Sequence, residues 1–390
     1  VSEDVEDYGS YFEGGWTVAL RRKIRRSASG MSRQYKIAVL KGDGIGPEVV
    51  TSATDVLSAA AERNSLNIRY SYFPIGWEAY KSFGRTLPPD TLSGMKECDG
   101  WILGPLSAGS YPKDDMDYPM ASGKLRKHFD LFANIRPVKS FLKGSKKQVD
   151  LVIVRENTED FYPDRNLFKG YGEFWPNEDT VISLRVVTRK ACKRISETAF
   201  SLAKSRAKKK LVTAVHKANV LIEGDGLFME EVRRVSKGFT EVTLNDGLVD
   251  SIGMQLVLSP EKFDVIVTTN LFGDILSDVA AAEVGGLGLA PSLNAGEKYA
   301  MAQAVHGSAP DIAGKGIANP VAEILSTSML LEWLYAQLGD YILKKCAVTI
   351  ENAVRETLAH GDSKSLTLDM GGNASTQEFT SEVVKRIASI

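Results

Sequence analysis

Asp274 and Asp278 stand four residues apart in FDVIVTTNLFGDILSDVAAAEVGG (263–286), so on a helix both carboxylates share one face. The rest of that segment is apolar or small, where charges are costly unless paired or bound to a metal. Hard divalent cations such as Mg²⁺ or Mn²⁺ favour oxygen donors of this kind. A plainer reading stays open for Asp274, as an acid favoured by the dipole of a helix's first turn. That reading explains less of Asp278, a full turn further in. Asp246 and Asp250, in NDGLVD, close another strand-like stretch and offer further carboxylates.

Lys217 follows a buried-looking run in VHKANVL (215–221), with Asn219 two residues on. A lysine at a strand's carboxyl end among apolar residues can have its pKa lowered enough to act as a base. The alternative is a lysine whose stem lies on the surface with its head in water. VRENTEDFY (154–162) ends another such run with Arg155 and Tyr162, and LRKHFDLFANIRP (125–137) adds Arg126 and Arg136. Guanidinium groups meet carboxylates through paired hydrogen bonds, so three near strand ends suit a di- or tricarboxylate. Arg126 beside Lys127 reads equally as a solvated helix face. HGSAPDIAGKGIANP (306–320) is a Gly-, Ala- and Ser-rich stretch whose backbone amides can approach phosphates. Asp311 within it would accept the two hydroxyls of an adenosine ribose and repel a 2′-phosphate. A surface loop is the alternative, although loops of this length in compact domains usually carry a function.

These side chains need elements to hold them. Short β-branched runs at 36–40, 66–73, 100–104, 149–156, 210–217 and 263–270 alternate with amphipathic segments such as 48–63 and 190–207. That alternation predicts an α/β sheet with parallel portions and ligands at the carboxyl ends of strands. From about Ala322 the tail reads as helical, with a second helix through about Leu358. GDGIGPE (42–48) sits between a strand and a helix as a dinucleotide-binding turn would. However, Pro47 replaces the third glycine, and no acid follows the next strand region, so a structural turn entering a helix at Pro47 is the better reading.

The 390 residues suit two domains, and with 43% hydrophobic and 25% charged residues a sizeable core is available. Forty-eight basic against 49 acidic side chains leave a net charge of −1, which argues against nucleic-acid or membrane-surface binding. No apolar run reaches the roughly 18 residues of a membrane span. Cys98, Cys192 and Cys346 are too dispersed for a disulfide framework, and His128, His216, His306 and His360 for a zinc site. A reducing, cytoplasmic compartment is the expectation. Residues 1–30, first acidic and then basic, fit neither a secretory signal nor a mitochondrial presequence. They are read as an extension, disordered or non-native, outside the fold.

Taken in order, GDGIGPE, LRKHFDLFANIRP, VRENTEDFY, VHKANVL, FDVIVTTNLFGDILSD, GGLGLAPS, HGSAPDIAGKGIANP and DMGGNASTQEF (369–379) resemble the isocitrate/3-isopropylmalate dehydrogenase family, the metal- and NAD(P)-dependent β-decarboxylating dehydrogenases. The resemblance covers 36–385. It implies a two-domain α/β fold with a large mixed sheet, distinct from a Rossmann fold. Residues 31–131 with 285–390 would form the large cofactor-binding domain, and 132–284 a small domain carrying the dimer interface and arm. It implies a homodimer with shared active sites. Arg126, Arg136 and Arg155 would clamp the malate moiety of a hydroxy-dicarboxylate, and Tyr162 would protonate the enolate left by CO₂. Lys217, from the second subunit, would be the partner base. Asp274 and Asp278, with Asp250 from that same neighbour, would hold Mg²⁺ or Mn²⁺. The adenosine site would comprise His306, Gly307, Ser308, Ala309, Asp311, Ile312 and Asn319, with Asn219 near the nicotinamide. NADP-dependent relatives carry Lys and Tyr where Asp311 and Ile312 stand, which makes NAD the expected cofactor. A non-catalytic regulatory subunit is the competing expectation; such subunits typically lose the lysine, the tyrosine or a metal acid, all kept here.

The chain departs from the family pattern around the substrate. Ser122-Gly123 replaces the apolar pair of isopropylmalate enzymes. Met120 stands where isocitrate enzymes carry a serine, and Gly123 where homoisocitrate enzymes use an additional arginine. ENTED after Arg155 lacks the Leu-Thr-Gly-Gly of isopropylmalate enzymes, and Lys124 matches the tartrate/D-malate branch. Small residues here, Ser122 among them, favour a short polar group on C3. The aromatic insertion 163–179 is assigned to the dimer arm, and Gln303-Ala304 replaces the usual Glu-Pro before Val-His-Gly.

Overall fold

The computed structural model describes residues 33–112, 115, 121–141, 147–167 and 170–389. The extension at 1–30 and Met120 lie outside them. The strands, in chain order, are β1 (Gln34–Leu40), β2 (Asn67–Tyr72), β3 (Gly100–Leu103), β4 (Ala133–Lys139), β5 (Asp150–Glu156) and β6 (Glu173–Asn177). They continue with β7 (Thr180–Ser183), β8 (Leu211–His216), β9 (Thr243–Leu248), β10 (Val265–Thr268), β11 (Leu293–Ala295) and β12 (Ala300–Ala302). The helices begin with α1 (Gly46–Arg63), α2 (Gly76–Phe83), α3 (Pro89–Lys96), α4 (Ala121–His128), α5 (Pro163–Asn166) and α6 (Arg189–Arg206). After these come α7 (Ile222–Ser236), α8 (Val249–Leu258), α9 (Asn270–Ala282), α10 (Val321–Leu338), α11 (Tyr341–His360) and α12 (Thr376–Ser389).

Ten strands form one mixed sheet in the order β2-β1-β3-β12-β11-β4-β5-β10-β8-β9. Its first half draws on both ends of the chain and its second half on the middle. The outer blocks, β2-β1-β3-β12 and β5-β10-β8-β9, are parallel, while β11 and β4 run antiparallel to their neighbours. β6 and β7 make a separate two-stranded arm with exposed Phe174, Trp175, Val181 and Ile182. Buried β-branched residues alternate between the two faces, as the period of two requires. Ile37, Val39, Val152 and Val154 face one continuous core under α1, α6, α7, α10, α11 and α12. On the other face Ala38 and Leu40 join a cluster with α4, whereas Leu151 and Ile153 join a second one with α8 and α9. The sheet's second face is thus covered by two separate packs, with α4 in one and α9 in the other.

GDGIGPE is a turn that secures this frame. Gly42 and Gly44 take positive φ (70° and 57°), and α1 starts with Pro47 in its first turn. A Cβ at Gly44 would stand 1.9 Å from the Ser308 carbonyl oxygen, so the turn requires glycine to lie against the 306–320 segment. Ile45 N donates to that same oxygen at 2.9 Å. The Asp43 carboxylate is taken up by Trp77 N, Ser107 N and the Tyr111 hydroxyl, a structural use that leaves no phosphate-binding role to it.

Candidate active site

Arg136 and Arg155 project from neighbouring strands toward the face that carries α8 and α9. Two residues before Arg136, and so on the same side of β4, Asn134 accepts from Arg136 Nε at 2.8 Å. Arg136 Nη1 donates to Ser277 Oγ at 2.6 Å and lies 3.2 Å from Asp274 Oδ1 and 3.7 Å from Asp278 Oδ1. Arg155, 1% exposed, donates through Nε to Asn270 Oδ1 at 2.8 Å and through Nη1 to Asp274. Its third nitrogen, Nη2, donates to the Tyr162 oxygen at 2.6 Å, and the Tyr162 hydroxyl donates to Asp274 Oδ2 at 2.8 Å. Arg155 passes directly over α9, where a Cβ on Gly273 would meet its Cγ at 2.6 Å. Gly273 therefore sets how close the arginine comes to the helix bearing the two acids.

Burial raises the Asp274 carboxyl's pKa, but Arg155 and then Arg136 outweigh it and hold the group at about 2. Asp278, further along the helix, is raised by burial, with Arg136 opposing and Asp274 reinforcing the shift. Burial also raises the Tyr162 phenol, Arg155 opposing and Asp274 adding to it, so the hydroxyl keeps its proton at neutral pH. Arg126 reaches the group from α4, donating through Nη2 to Gln303 Oε1 at 3.2 Å. Its pKa falls through burial and through repulsion from Arg165, Arg155 and Arg136. The structure thus brings together Arg126, Arg136, Arg155, Tyr162, Asp274 and Asp278. Ser122 is buried nearby on α4.

Lys217 and Asp250 form a pair of their own. Lys217 Nζ donates to Asp250 Oδ1 at 2.6 Å, with side chains 27% and 65% exposed. The Lys217 backbone is fixed by its N–H donating to the buried Asp225 at 2.5 Å, which Arg185 also holds. Asn219 is exposed in the turn that follows. Among the described residues no group of three or more His, Cys, Asp or Glu could hold a metal; within one chain Asp250 answers to Lys217. Asp246 is engaged by His216 at 3.2 Å.

Residues 306–320 contain no helix or strand. His306 Nδ1 lies 3.0 Å from the Gly307 carbonyl oxygen, and burial lowers its pKa, which keeps the ring neutral. Its Nε2 is buried without a partner among the described residues. Ser308 Oγ bonds Ser107 Oγ at 2.8 Å, Ala309 has φ of 38°, and Asp311 is exposed, with Ile312 half-buried. Asn319 Nδ2 donates to Asp369 at 2.9 Å while its oxygen accepts from Val321 N at 3.0 Å. Asp369 belongs to the DMGGN string, so two distant motifs meet here.

Sequence reasoning did not single out Asn134, Asn270, Ser277, Gly273 or Asp225, which orient the functional groups. A period-two signal was available for Asn134, whereas Asp225 and Gly273 act across elements. The aromatic insertion also divides: its first residues form α5, packed beside α4 and Tyr162, and only 173–183 form the arm.

A family model described as isocitrate/isopropylmalate dehydrogenase matches residues 36–386. An isocitrate/homoisocitrate dehydrogenase of Thermus thermophilus is 44% identical over 91% of this chain and 99% of its own length. A 3-isopropylmalate/3-methylmalate dehydrogenase of Methanocaldococcus jannaschii is also 44% identical, over 90% of this chain and 99% of its own. Among solved structures, isocitrate dehydrogenase from Methylococcus capsulatus aligns with a TM-score of 0.80 at 39% identity, covering 90% of this chain and 99% of that one.

Proposed function

The chain belongs to the isocitrate/isopropylmalate dehydrogenase family, an enzyme of the decarboxylating dehydrogenase type, and from this we propose that it oxidises and decarboxylates a D-malate-type 2-hydroxy dicarboxylate with NAD and a divalent cation. The observation that carries the reading is the contact of Tyr162, Arg155 and Asp274 beside Arg136 and Arg126. Guanidiniums bind and orient the substrate carboxylates. The Tyr162 hydroxyl, polarised by Arg155 and kept protonated, delivers a proton to C3 once CO₂ has left. Lys217 accepts the C2 hydroxyl proton on its amine nitrogen, and Asp250 holds the ammonium that results.

The donor set fits Mg²⁺ or Mn²⁺: two carboxylates one turn apart, Asp274 ionised at any physiological pH, with Asp250 as the third ligand. Bound there, such a cation supplies Lewis acidity at the C2 oxygen. The orphaned His306 Nε2 and the glycine cradle at Gly44 fit an adenosine held by His306, Gly307, Ser308, Ala309, Ile312 and Asn319. NAD supplies the hydride-accepting chemistry, and exposed Asp311 favours a free ribose over a 2′-phosphate. Asn219 would meet the nicotinamide side.

Lys217 and Asp250 serve the pocket of a second copy, so the working unit is a homodimer. Exposed Met254, Val257 and Leu258 on α8, Ile275 on α9 and the apolar arm support that pairing. Residues 31–131 with 285–390 and residues 132–284 are proposed as its two domains. Three buried free cysteines are consistent with a reducing, cytoplasmic setting, and no helix among the described residues is long and apolar enough to cross a membrane. Purified protein with Mn²⁺ and NAD⁺ should form NADH from at least one of D-malate, tartrate, isocitrate, homoisocitrate and 3-isopropylmalate. No NADH from any of them would sink the reading, and faster turnover with NADP⁺ would remove the cofactor assignment.

A further inference from the structure

Arg165, in α5 immediately beyond Tyr162, is 4% exposed, with a side chain completely shielded from water. Its Nη1 donates to the Asn157 carbonyl oxygen at 3.0 Å, and Nε lies 3.4 Å from Asp164 Oδ2. Nη2 is buried and has no partner among the described residues. Leaving a charged donor unsatisfied in the interior is costly, and an anion is the ligand that relieves it.

Geometry places that free edge between α4 and the Tyr162 ring. A Cβ on Gly123 would stand 3.1 Å from Arg165 Nη2 and 2.1 Å from Asp164 Oδ2. The side-chain-free position next to Ser122 on α4 is therefore what admits the guanidinium. Arg165 Cζ lies 4.5 Å from the centroid of the Tyr162 ring and Arg155 Cζ 5.3 Å from it. The phenol that faces the reacting carbon thus has two guanidiniums against its ring. Arg165 is also the foremost charge repelling Arg126. Arg126 has Arg165, Arg155 and Arg136 as like-charged neighbours, while the acids acting on Arg165 itself are Asp164 and Glu156.

We infer that Arg165 is a specificity-determining residue that binds a third carboxylate, carried by the substituent on C3, so that a hydroxy-tricarboxylate is preferred over a malate bearing an apolar or no C3 group. The inference rests on the hydroxy-acid reading above and goes further by selecting the substrate class.

The test compares isocitrate, D-malate and 3-isopropylmalate, by calorimetric binding with Mn²⁺ and by turnover, in the native protein, Arg165→Met and Arg165→Lys. The native protein should favour isocitrate over both. Arg165→Met should reduce the isocitrate-to-D-malate ratio, of binding constants and of kcat/KM, roughly 10- to 100-fold, with partial recovery in Arg165→Lys. Equal losses for both acids would show that Arg165 only supports Tyr162 and would overturn the inference, as would a native preference for 3-isopropylmalate. If Arg165→Met fails to fold, the native preference and Arg165→Lys decide. Tight isocitrate binding without NADH from any acid would defeat the dehydrogenase reading while leaving the role of Arg165 standing.

Discussion

Asp274 is contested by two arginines, a tyrosine and, in the proposed reaction, a metal. Its contribution to stability has a definite sign. The folded carboxyl titrates at about 2, below the roughly 3.9 of an unfolded aspartate. Its stabilisation is therefore complete above the unfolded value and disappears as pH falls through about 2. Asp274→Asn should unfold at lower denaturant than the native protein at pH 7, because Arg155 is left buried without its anion. The gap should narrow as pH drops from about 4 toward 2. Denaturant midpoints across that range check this, and a constant gap would show that charge is not what Asp274 contributes. At this scale the sequence was highly legible where chemistry imposes residue types at fixed spacing, as in LFGDILSD or VHKAN. Arg165 escaped because α5 closes on Gly123 only through tertiary packing, and no local pattern records that approach.

At the level of elements, the six apolar runs all became strands, 48–63 and 190–207 became α1 and α6, and the tail became α10 and α11. β4 is not among those runs; its segment carries the motif of Arg126 and Arg136, and Pro137 interrupts its strand pattern. The fold admits that proline because β11 ends opposite Ile135, leaving Pro137 with a strand partner on one side only. β11 and β12 have three residues each, too short for alternation to show. They position Gln303-Ala304, which follow directly on β12. Ala304 N donates at 2.8 Å to Glu323 in the first turn of α10, a fully buried acid pushed up to about 8 by burial. Since the folded pKa exceeds the unfolded one, this acid's penalty is absent below about 4.3, grows as pH rises toward 8, and is constant above. Glu323→Gln keeps an acceptor for Ala304 and cannot ionise. Its melting temperature should match the native protein's at pH 4 and exceed it by about 2–4 °C or more at pH 9. Parallel melting curves across that range would refute the ionisation.

For the whole molecule, the sequence implied strand–helix alternation but not the order of ten strands, which depends on non-local pairing. Nor did one chain unite the acids proposed to bind the metal: Lys217 and Asp250 lie paired, apart from Asp274 and Asp278. If each pocket borrows them from a second copy, two dead variants can repair one another. Lys217→Met and Asp274→Asn should each be inactive alone. Unfolded together and refolded as a mixture, they should regain about one quarter of native turnover, since half the dimers are mixed and one of their two sites is whole. Absence of any recovery, with mixed dimers demonstrated, would place Lys217 in its own chain's site.

The weave of the sheet also has a bearing on how the protein is made. β12 fits between β3 and β11, so the edge of β3, complete by Leu103, stays bare until Ala302 has been synthesised. The five strands of the block β4-β5-β10-β8-β9 are complete by Thr268, and α9, which covers one of its faces, by Ala282. On the ribosome the middle of the chain can therefore mature first, while its beginning waits, exposed to aggregation or to a chaperone, for its end to arrive.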